Sequence, residues 1–284
     1  MISTEHLEDS LWFRDEDDFR VAMNYIAIQA ANMPEIKVMA FILMSNHLHF
    51  VFEGRREGMV SFVNRLKQRY SAYYQKKYGI RSFLKRNGVD VRGIPSDDEA
   101  VERAVAYVLM NCVAANICAF CNQYAWGTGG IIFNPSRPEG KRAGDFSERA
   151  LERLLRSGNV NIPDNWIIGK DGYILPRNYV DVLYVERIFR TPRRFNYFLN
   201  SSSKAKKRLC SDENLPAFLD HSIVAVLPDL CRSLFRKDSF DELNPQEQSE
   251  LARQIRFRFS ADATQVARVC GISYAGAARL LDSI

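Results

Sequence analysis

The sequence predicts an α+β protein: an antiparallel, ferredoxin-like sheet with helices on one face, followed by a mainly helical carboxy-terminal region. Three observations support this class. Strand-like and helix-like segments of the first half follow the order strand, helix, strand, strand, helix, strand, which is typical of that sheet. An apolar hairpin lies at the centre of this order. The second half carries mostly helical patterns and ends in two short helical segments.

The first strand is expected within Met1 to Phe13, ending in Leu11-Trp12-Phe13, and is short for a strand of this sheet. The acidic residues from Asp15 to Asp18 then form the first turn of a helix that runs to about Ala31, because negative side chains stabilise the amino terminus of a helix. A strand and a helix therefore precede the hairpin, although the length of the strand leaves the completeness of the sheet open.

The central hairpin joins two apolar strands through a tight Ser45-Asn46 turn, and its second strand carries His47 and His49. Side chains alternate along a strand, so both imidazoles project from one face while Leu48 and its apolar neighbours project from the other. Two imidazoles at this spacing are able to hold one divalent metal. The alternative is a pair of strand histidines that are satisfied by hydrogen bonds.

A helix is predicted from about Met59 to Tyr78, ended by Gly79, and a strand from Val89 to Ile94. The polar face of this helix alternates basic side chains with tyrosines, which suits a single-stranded nucleic acid because charge binds phosphates and rings stack on bases. A solvated charged face is an equally good interpretation. The candidate DNA-binding residues here are Arg65, Lys67, Arg69, Lys76 and Lys77.

A capping pattern at Ser96 to Glu99 predicts a further helix from Asp97 to about Cys118. Tyr107 and Asn111 lie close together on a flank of its apolar stripe, at the edge where a helix meets a sheet. Taken alone, Tyr107 is an ordinary boundary tyrosine, and three tyrosines of the preceding helix compete with it as a nucleophile. These competitors are Tyr70, Tyr73 and Tyr74.

Three motifs together resemble the single-tyrosine transposases with an HUH motif (His, hydrophobic, His), specifically the REP-associated tyrosine transposase branch. The hairpin sequence Met44 to His49 resembles the HUH motif, and Ala106 to Asn111 resembles the second motif, in which the tyrosine precedes an asparagine by four residues. Tyr124 to Gly127 resembles the following tyrosine-x-tryptophan-serine signature. Cys112 replaces the usual proline, and Gly127 the usual serine. The resemblance covers the first half well and the second half loosely.

This resemblance implies that His47 and His49 bind Mg²⁺ or Mn²⁺, that Tyr107 is the nucleophile, and that Asn111 is a third ligand or a polar group beside the metal. The implied activity is cleavage and transfer of single DNA strands through a 5′-phosphotyrosine. The leading alternative is a domesticated protein that binds hairpin DNA without cutting it. A metal-dependent hydrolase of small substrates is a weaker alternative, because the helices are basic and aromatic.

A segment rich in proline, glycine and charge from Asn134 to Glu148 predicts the end of the first domain. We therefore expect a nuclease domain at 1–134, a basic helical accessory region at 135–243 and a terminal DNA-binding segment at 244–284. In the accessory region, Arg193 and Arg194 stand beside aromatic residues and are candidate DNA contacts. The terminal segment fits a helix-turn-helix with Tyr274 and Arg279 facing a groove, or a generic helical hairpin.

Composition fits these predictions. The 284 residues include 46% hydrophobic residues, enough for a core, and carry a net charge of +5 that is concentrated in basic clusters. Six scattered cysteines and the absence of a signal-peptide pattern lead us to expect a cytoplasmic location. The expected partner is single-stranded or hairpin DNA and not a membrane. The sequence leaves the oligomeric state open.

Overall fold

A computed structural model describes residues 1–5, 11–84, 87–136, 138–158, 160–202, 220–259 and 261–282. Up to Val91, the described residues contain four strands and two helices in the predicted order. These are β1 (Ile2–Thr4), α1 (Glu16–Asn32), β2 (Lys37–Met44), β3 (His47–Glu53), α2 (Arg56–Tyr78) and β4 (Val89–Val91).

The four strands form one antiparallel sheet in the order β2-β3-β1-β4. This confirms the predicted α+β class with a ferredoxin-like arrangement. The short strand β1 is central, because Ile2 pairs with Phe50 on one side and with Val91 on the other. The strand does not extend to residues 11–13 as expected. There the Trp12 amide instead donates to the Ser45 carbonyl at 2.8 Å, which ties this segment to the hairpin turn.

Helices α1 and α2 pack together and cover one face of the sheet. Asp15 caps α1 by accepting a hydrogen bond from the Asp18 amide. Phe62 of α2 lies against Phe50 and Phe52, with ring centroids 6.2 and 5.0 Å apart. The side chains that alternate toward this face of β3 are therefore core.

The opposite face of the sheet is covered by α3 (Asp98–Leu109), which packs on β2 and β3. We predicted a single helix from Asp97 to about Cys118, but the structure interrupts it at Met110 and resumes with the short helix α4 (Asn111–Ala114). The side-chain amide of Asn111 donates to backbone carbonyls of the last turn of α3. Such side-chain bonds compete with helix continuation and account for the break.

Residues 140–201 form a small two-stranded sheet and three helices that share the core of the large sheet. Val180 bridges Val38 at the edge of β2, and the Tyr25 hydroxyl donates to the Arg156 carbonyl at 2.6 Å. The expected accessory region is thus packed against the sheet, and independent folding of 1–134 stays a prediction. The elements are β5 (Gly140–Arg142), α5 (Glu148–Leu155), β6 (Ile167–Gly169), α6 (Val182–Phe189) and α7 (Pro192–Ser201).

A second core is formed mainly by helices and includes Leu11 together with apolar residues after residue 220. Its helices are α8 (Asp220–Phe235), α9 (Pro245–Phe259), α10 (Ala263–Cys270) and α11 (Tyr274–Asp282). Because α8 belongs to this core, its packing begins before the boundary expected at 243/244. Within the described residues, no helix is long and apolar enough to span a membrane.

The last two helices form a short helical hairpin, and its identity as a DNA-binding helix-turn-helix stays a prediction. Gly271 ends α10 with a left-handed backbone at φ 67°, which glycine adopts without strain, and the Ser273 hydroxyl accepts from the Gly276 amide at 3.1 Å. Tyr274 is 62% exposed, and Arg279 is also exposed. The groove-facing role of these two residues stays a prediction.

Candidate active site

The hairpin turn places His47 at the first position of β3. Met44 pairs with His47 and Ile42 with His49, so Ser45 and Asn46 form the two-residue connection that the sequence predicted. The turn is held from two directions: the Ser45 carbonyl accepts from Trp12, and the Ser45 hydroxyl donates to the Arg258 carbonyl of α9. The second core therefore touches the chain directly beside the histidines.

The two imidazoles lie together on one face of β3, with ring centroids 4.7 Å apart and ring planes at 88°. Each histidine is only 6% exposed, because α3 packs on β2 and β3 and covers the face that carries the two rings. This cover limits the access of a phosphate to the pair.

The neighbouring asparagine orients one of the two rings. Nδ1 of His47 lies 2.7 Å from Oδ1 of Asn46, and a proton on Nδ1 donated to that oxygen places the lone pair of the neutral imidazole on Nε2. A fixed tautomer of this kind is the usual support for a metal-binding histidine. Sequence reasoning missed Asn46, although its position directly before His47 was an available signal.

Tyr107 reaches the histidine pair from α3. Asp97 caps this helix by accepting from the Ala100 amide at 2.8 Å, and Val105 and Val108 are buried against the sheet. Tyr107 lies between these positions on a half-buried flank. Its ring meets the ring of His49 edge to face, with centroids 6.1 Å apart. The structure thus brings together three of the predicted site residues.

Asn111 stabilises the end of the same helix. Its amide nitrogen donates to the carbonyls of Tyr107 and Val108 at 2.9 and 3.0 Å, and the residue is 3% exposed. These bonds fix the carboxy-terminal turn that carries Tyr107. A metal-binding role of Asn111 stays a prediction.

A cleft of about 720 Å³ opens beside Tyr107. Its walls include the exposed ends of α3 and α7, with Arg103 and Tyr197 among them, and Tyr197 is 65% exposed. An exposed ring next to a candidate nucleophile suits a single-stranded nucleotide. Arg103 is ion-paired with Glu99, which lines the same cleft. Tyr197 belongs to the basic and aromatic segment that sequence reasoning associated with DNA contact, but it was not singled out.

The three competing tyrosines lie on α2, across the sheet from the histidine rings. Tyr70 is 1% exposed and its hydroxyl donates to the Trp12 carbonyl; Tyr73 donates to Oδ1 of Asp18 at 2.9 Å. Tyr74 donates to the Leu11 carbonyl at 3.0 Å. Burial raises the pKa of all three hydroxyl groups, that of Tyr74 to about 12. They serve the packing of α2.

The segment from Tyr124 to Gly127 closes the outer edge of β2. The Tyr124 hydroxyl donates to the Leu43 carbonyl at 2.6 Å, and the Trp126 carbonyl accepts from the Leu43 amide at 2.8 Å. At Gly127 a side chain would begin 3.1 Å from the Phe41 carbonyl oxygen, so the close pairing favours glycine. This motif therefore supports the hairpin by covering an otherwise open edge.

The predicted DNA-binding residues divide into two groups. Lys67, Lys77 and Arg194 have partners inside the fold: the carbonyl of Asn87, the carboxylates of Asp15 and Asp18, and the carboxylate of Glu102, respectively. Burial also lowers the pKa of Lys67. The residues that face outward or are only partly buried are Arg65, Arg69, Lys76, Arg193, Tyr274 and Arg279.

Two imidazoles suit a divalent ion whose remaining coordination positions are taken by a substrate. Among the described residues, no group of three or more histidine, cysteine or acidic side chains is placed to hold a metal. The two imidazoles therefore form the candidate protein donors, with Asn46 fixing one of them. Imidazole binds transition metals better than it binds Mg²⁺, so this pair favours Mn²⁺ of the two predicted ions.

A comparison with known families finds a match to part of the chain. Residues 12–87 match the family model described as "Transposase IS200 like". No curated protein and no solved structure matches the chain. The matched residues contain the hairpin with both histidines and end before α3, so the match supports a transposase family, and with it DNA binding and DNA cleavage or transfer.

Proposed function

We propose that this protein is a metal-dependent, single-strand DNA transferase of the REP-associated tyrosine transposase branch. The observation that carries the proposal is the convergence of His47, His49 and Tyr107 from β3 and α3 on one face of the sheet. The match to IS200-like transposases supports the same class for the hairpin. The expected substrate is single-stranded or hairpin DNA.

In the proposed reaction the Tyr107 hydroxyl attacks the phosphorus of a phosphodiester. The phosphorus–O3′ bond breaks, the phosphate remains on the tyrosine as a 5′-phosphotyrosine, and the phenolic proton is taken up by the departing 3′ oxygen, directly or through solvent. The ester retains the energy of the broken bond, so the reverse attack by a 3′-hydroxyl joins the strand to a new end. This accounts for transfer without a nucleotide cofactor.

The histidines are the residues that would hold Mn²⁺ or Mg²⁺. When bound, such an ion supplies Lewis-acid charge to the phosphate oxygens. The protein itself positions the reacting groups: the packing of α3 on the sheet fixes the Tyr107 ring against His49, and Asn111 secures the turn that carries it. Arg103 and Tyr197 line the approach for the strand.

The test is covalent capture of a labelled single strand in the presence of Mn²⁺. We expect the parent protein to become attached to the 5′ side of the break. In Tyr107→Phe the amount of adduct should fall by roughly 10³-fold or more, because the substitution removes the nucleophilic hydroxyl and leaves the ring in place. The matched control is Tyr73→Phe, which removes a hydroxyl from the opposite side of the sheet. An adduct that persists in Tyr107→Phe and disappears in Tyr73→Phe would transfer the role to α2.

A second candidate is a domesticated protein that binds hairpin DNA without cutting it. The low exposure of the histidine rings, 6% each, favours it because substrate access is narrow. The same assay separates the two candidates. A protein that only binds would retard the labelled DNA in a native gel while leaving every strand intact, with or without Mn²⁺.

A further inference from the structure

A second cleft, of about 990 Å³, lies between α2 and α5 on the side of the sheet away from the histidine pair. Helix α2 contributes Arg69, Tyr73 and Lys76 to its wall. These positions are spaced by four and then three residues, so they form one stripe along the helix. The cationic ends of this stripe face the cleft.

Helix α5 contributes a matching stripe from the other side. Leu151 and Leu155 are 9% and 0% exposed and fix the buried face of the helix. Arg149, Arg153 and Arg156 then recur at intervals of four and three residues and line the cleft. Two basic stripes from two helices thus border one opening.

The six basic side chains that line this cleft outnumber its two acidic ones, Asp17 and Glu152. Lys77 is bonded to Asp15 and Asp18, and Arg156 lies 3.6 Å from Asp17. The other basic side chains of the two stripes make no ion pair with any described residue. They are Arg69, Lys76, Arg149 and Arg153. Clustered cations facing one cleft favour a polyanionic ligand.

The aromatic rings of the cleft are occupied by the fold. Tyr25 is 3% exposed, with the Arg69 guanidinium 5.7 Å from its ring centroid, and the Tyr73 hydroxyl donates to Asp18. Base stacking requires open ring faces, which these residues do not offer. The chemistry of the cleft therefore suits phosphate groups whose bases are turned away, as in a duplex.

We propose that the cleft between α2 and α5 binds the phosphate backbone of double-stranded DNA that flanks the strand held at Tyr107. The proposal rests on the proposed function only for the identity of the polymer as DNA. Arg149 and Arg153 are its defining residues, and they lie outside the residues matched by the transposase family model. Duplex and single strand are held on opposite sides of the sheet.

The test measures binding of a fluorescent DNA duplex by anisotropy as potassium chloride is raised from about 50 to 200 mM. The slope of log affinity against log salt reports the number of phosphate contacts, roughly 0.9 for each contact in B-DNA. The variant carries Arg149→Gln and Arg153→Gln together. We expect its slope to fall by about 1.8 and its affinity to fall roughly tenfold or more.

Two controls accompany the variant. Replacement by lysine at both positions keeps the charge and should keep the slope. A double variant of Lys141→Gln and Arg187→Gln removes the same charge away from the cleft and should change the slope less. An unchanged slope in the cleft variant, an equal change in this control, or no duplex binding by the parent protein would overturn the proposal.

Covalent capture of a single strand by the parent protein is measured separately. A smaller salt slope in the cleft variant, together with no adduct in the parent protein, would support the duplex-binding cleft and contradict the proposed transferase. An adduct in the parent protein, together with an unchanged salt slope in the cleft variant, would support the transferase and contradict the duplex-binding cleft. The two proposals therefore fail by different measurements.

Discussion

On one face of β3, Phe50 and Phe52 pack against α2, and on the other His47 and His49 meet Tyr107 of α3. Both faces are almost completely covered, yet their contents differ. On the α2 face, aromatic rings pack together and the tyrosine hydroxyls donate to acceptors inside the fold. On the α3 face, two imidazoles and a tyrosine ring lie close enough together to act on one phosphate. Burial alone therefore does not distinguish a core from a site, whereas the partners of the buried polar groups do.

The tyrosines illustrate the difference. On the α2 face, Tyr73 and Tyr78 donate to the buried carboxylate of Asp18, and Lys77 binds the same group at 2.8 Å. Burial raises the pKa of both hydroxyls, and the carboxylates of Asp18 and Asp15 raise it further. These tyrosines are poor sources of a phenolate and good structural donors. Tyr107 is separated from this network by the sheet.

The largest expected effect concerns alkaline pH. Burial raises the pKa of Tyr25 and Tyr74 to about 12, above the ordinary value of 10. A raised pKa means that the folded state retains the proton longer, so stability is complete below pH 10 and falls as pH rises from 10 to 12. Between pH 10 and 12, each such tyrosine lowers the free energy of unfolding by up to about 1.4 kcal/mol per pH unit.

Several tyrosines of the α2 face share this behaviour, so we expect unfolding to set in above pH 10. Near-ultraviolet absorbance of tyrosinate and far-ultraviolet circular dichroism would follow it together. Gradual tyrosinate formation with no change in secondary structure would show that the α2 face opens to solvent. In that case its difference from the α3 face would be smaller than we infer.

The next effect is the replacement Asp18→Ala. Asp18 is 0% exposed and accepts from Lys77, Tyr73 and Tyr78. Its removal takes this acceptor from the two hydroxyls, while Lys77 keeps its bonds to Asp15. We expect the free energy of unfolding to fall by about 2–4 kcal/mol, because each buried donor that loses its acceptor costs roughly 1–3 kcal/mol. Denaturant titration measures this loss.

The matched change on the other face is Tyr107→Phe. It removes one hydroxyl from a half-buried ring, and we expect it to change the free energy of unfolding by less than about 1 kcal/mol. Comparable losses from Asp18→Ala and Tyr107→Phe would contradict the division between a stabilising face and a reactive face.

A further expected effect concerns Asn46, whose Oδ1 lies 2.7 Å from Nδ1 of His47. We expect Asn46→Ala to weaken Mn²⁺ binding by about 10–100-fold, because the imidazole loses the partner that fixes its tautomer. Isothermal calorimetry with Mn²⁺ measures this change. Asn46→Asp retains an acceptor oxygen and adds a negative charge, so it should bind Mn²⁺ at least as tightly as the parent does. Equal weakening by both variants would show that Asn46 acts through the turn and not through the ring.

The sequence by itself determined the order of elements and the core face of β3. The two-residue Ser45-Asn46 turn sets the register of the hairpin, in which Met44 pairs with His47. The capping signals at Asp15, Asp97 and Gly79 likewise located three helix ends. Such signals are local and need no knowledge of the rest of the chain.

Other features depend on residues that are distant in sequence. The break at Met110, the partners of Lys67 and Lys77, and the cover over the histidines could not be read from periodicity. A charged helix face has the same pattern whether its lysines are solvated or bonded to a buried carboxylate, since the pattern does not record what packs against it. Only the tertiary structure decided which tyrosine stands beside His49, because the sheet separates α2 from α3.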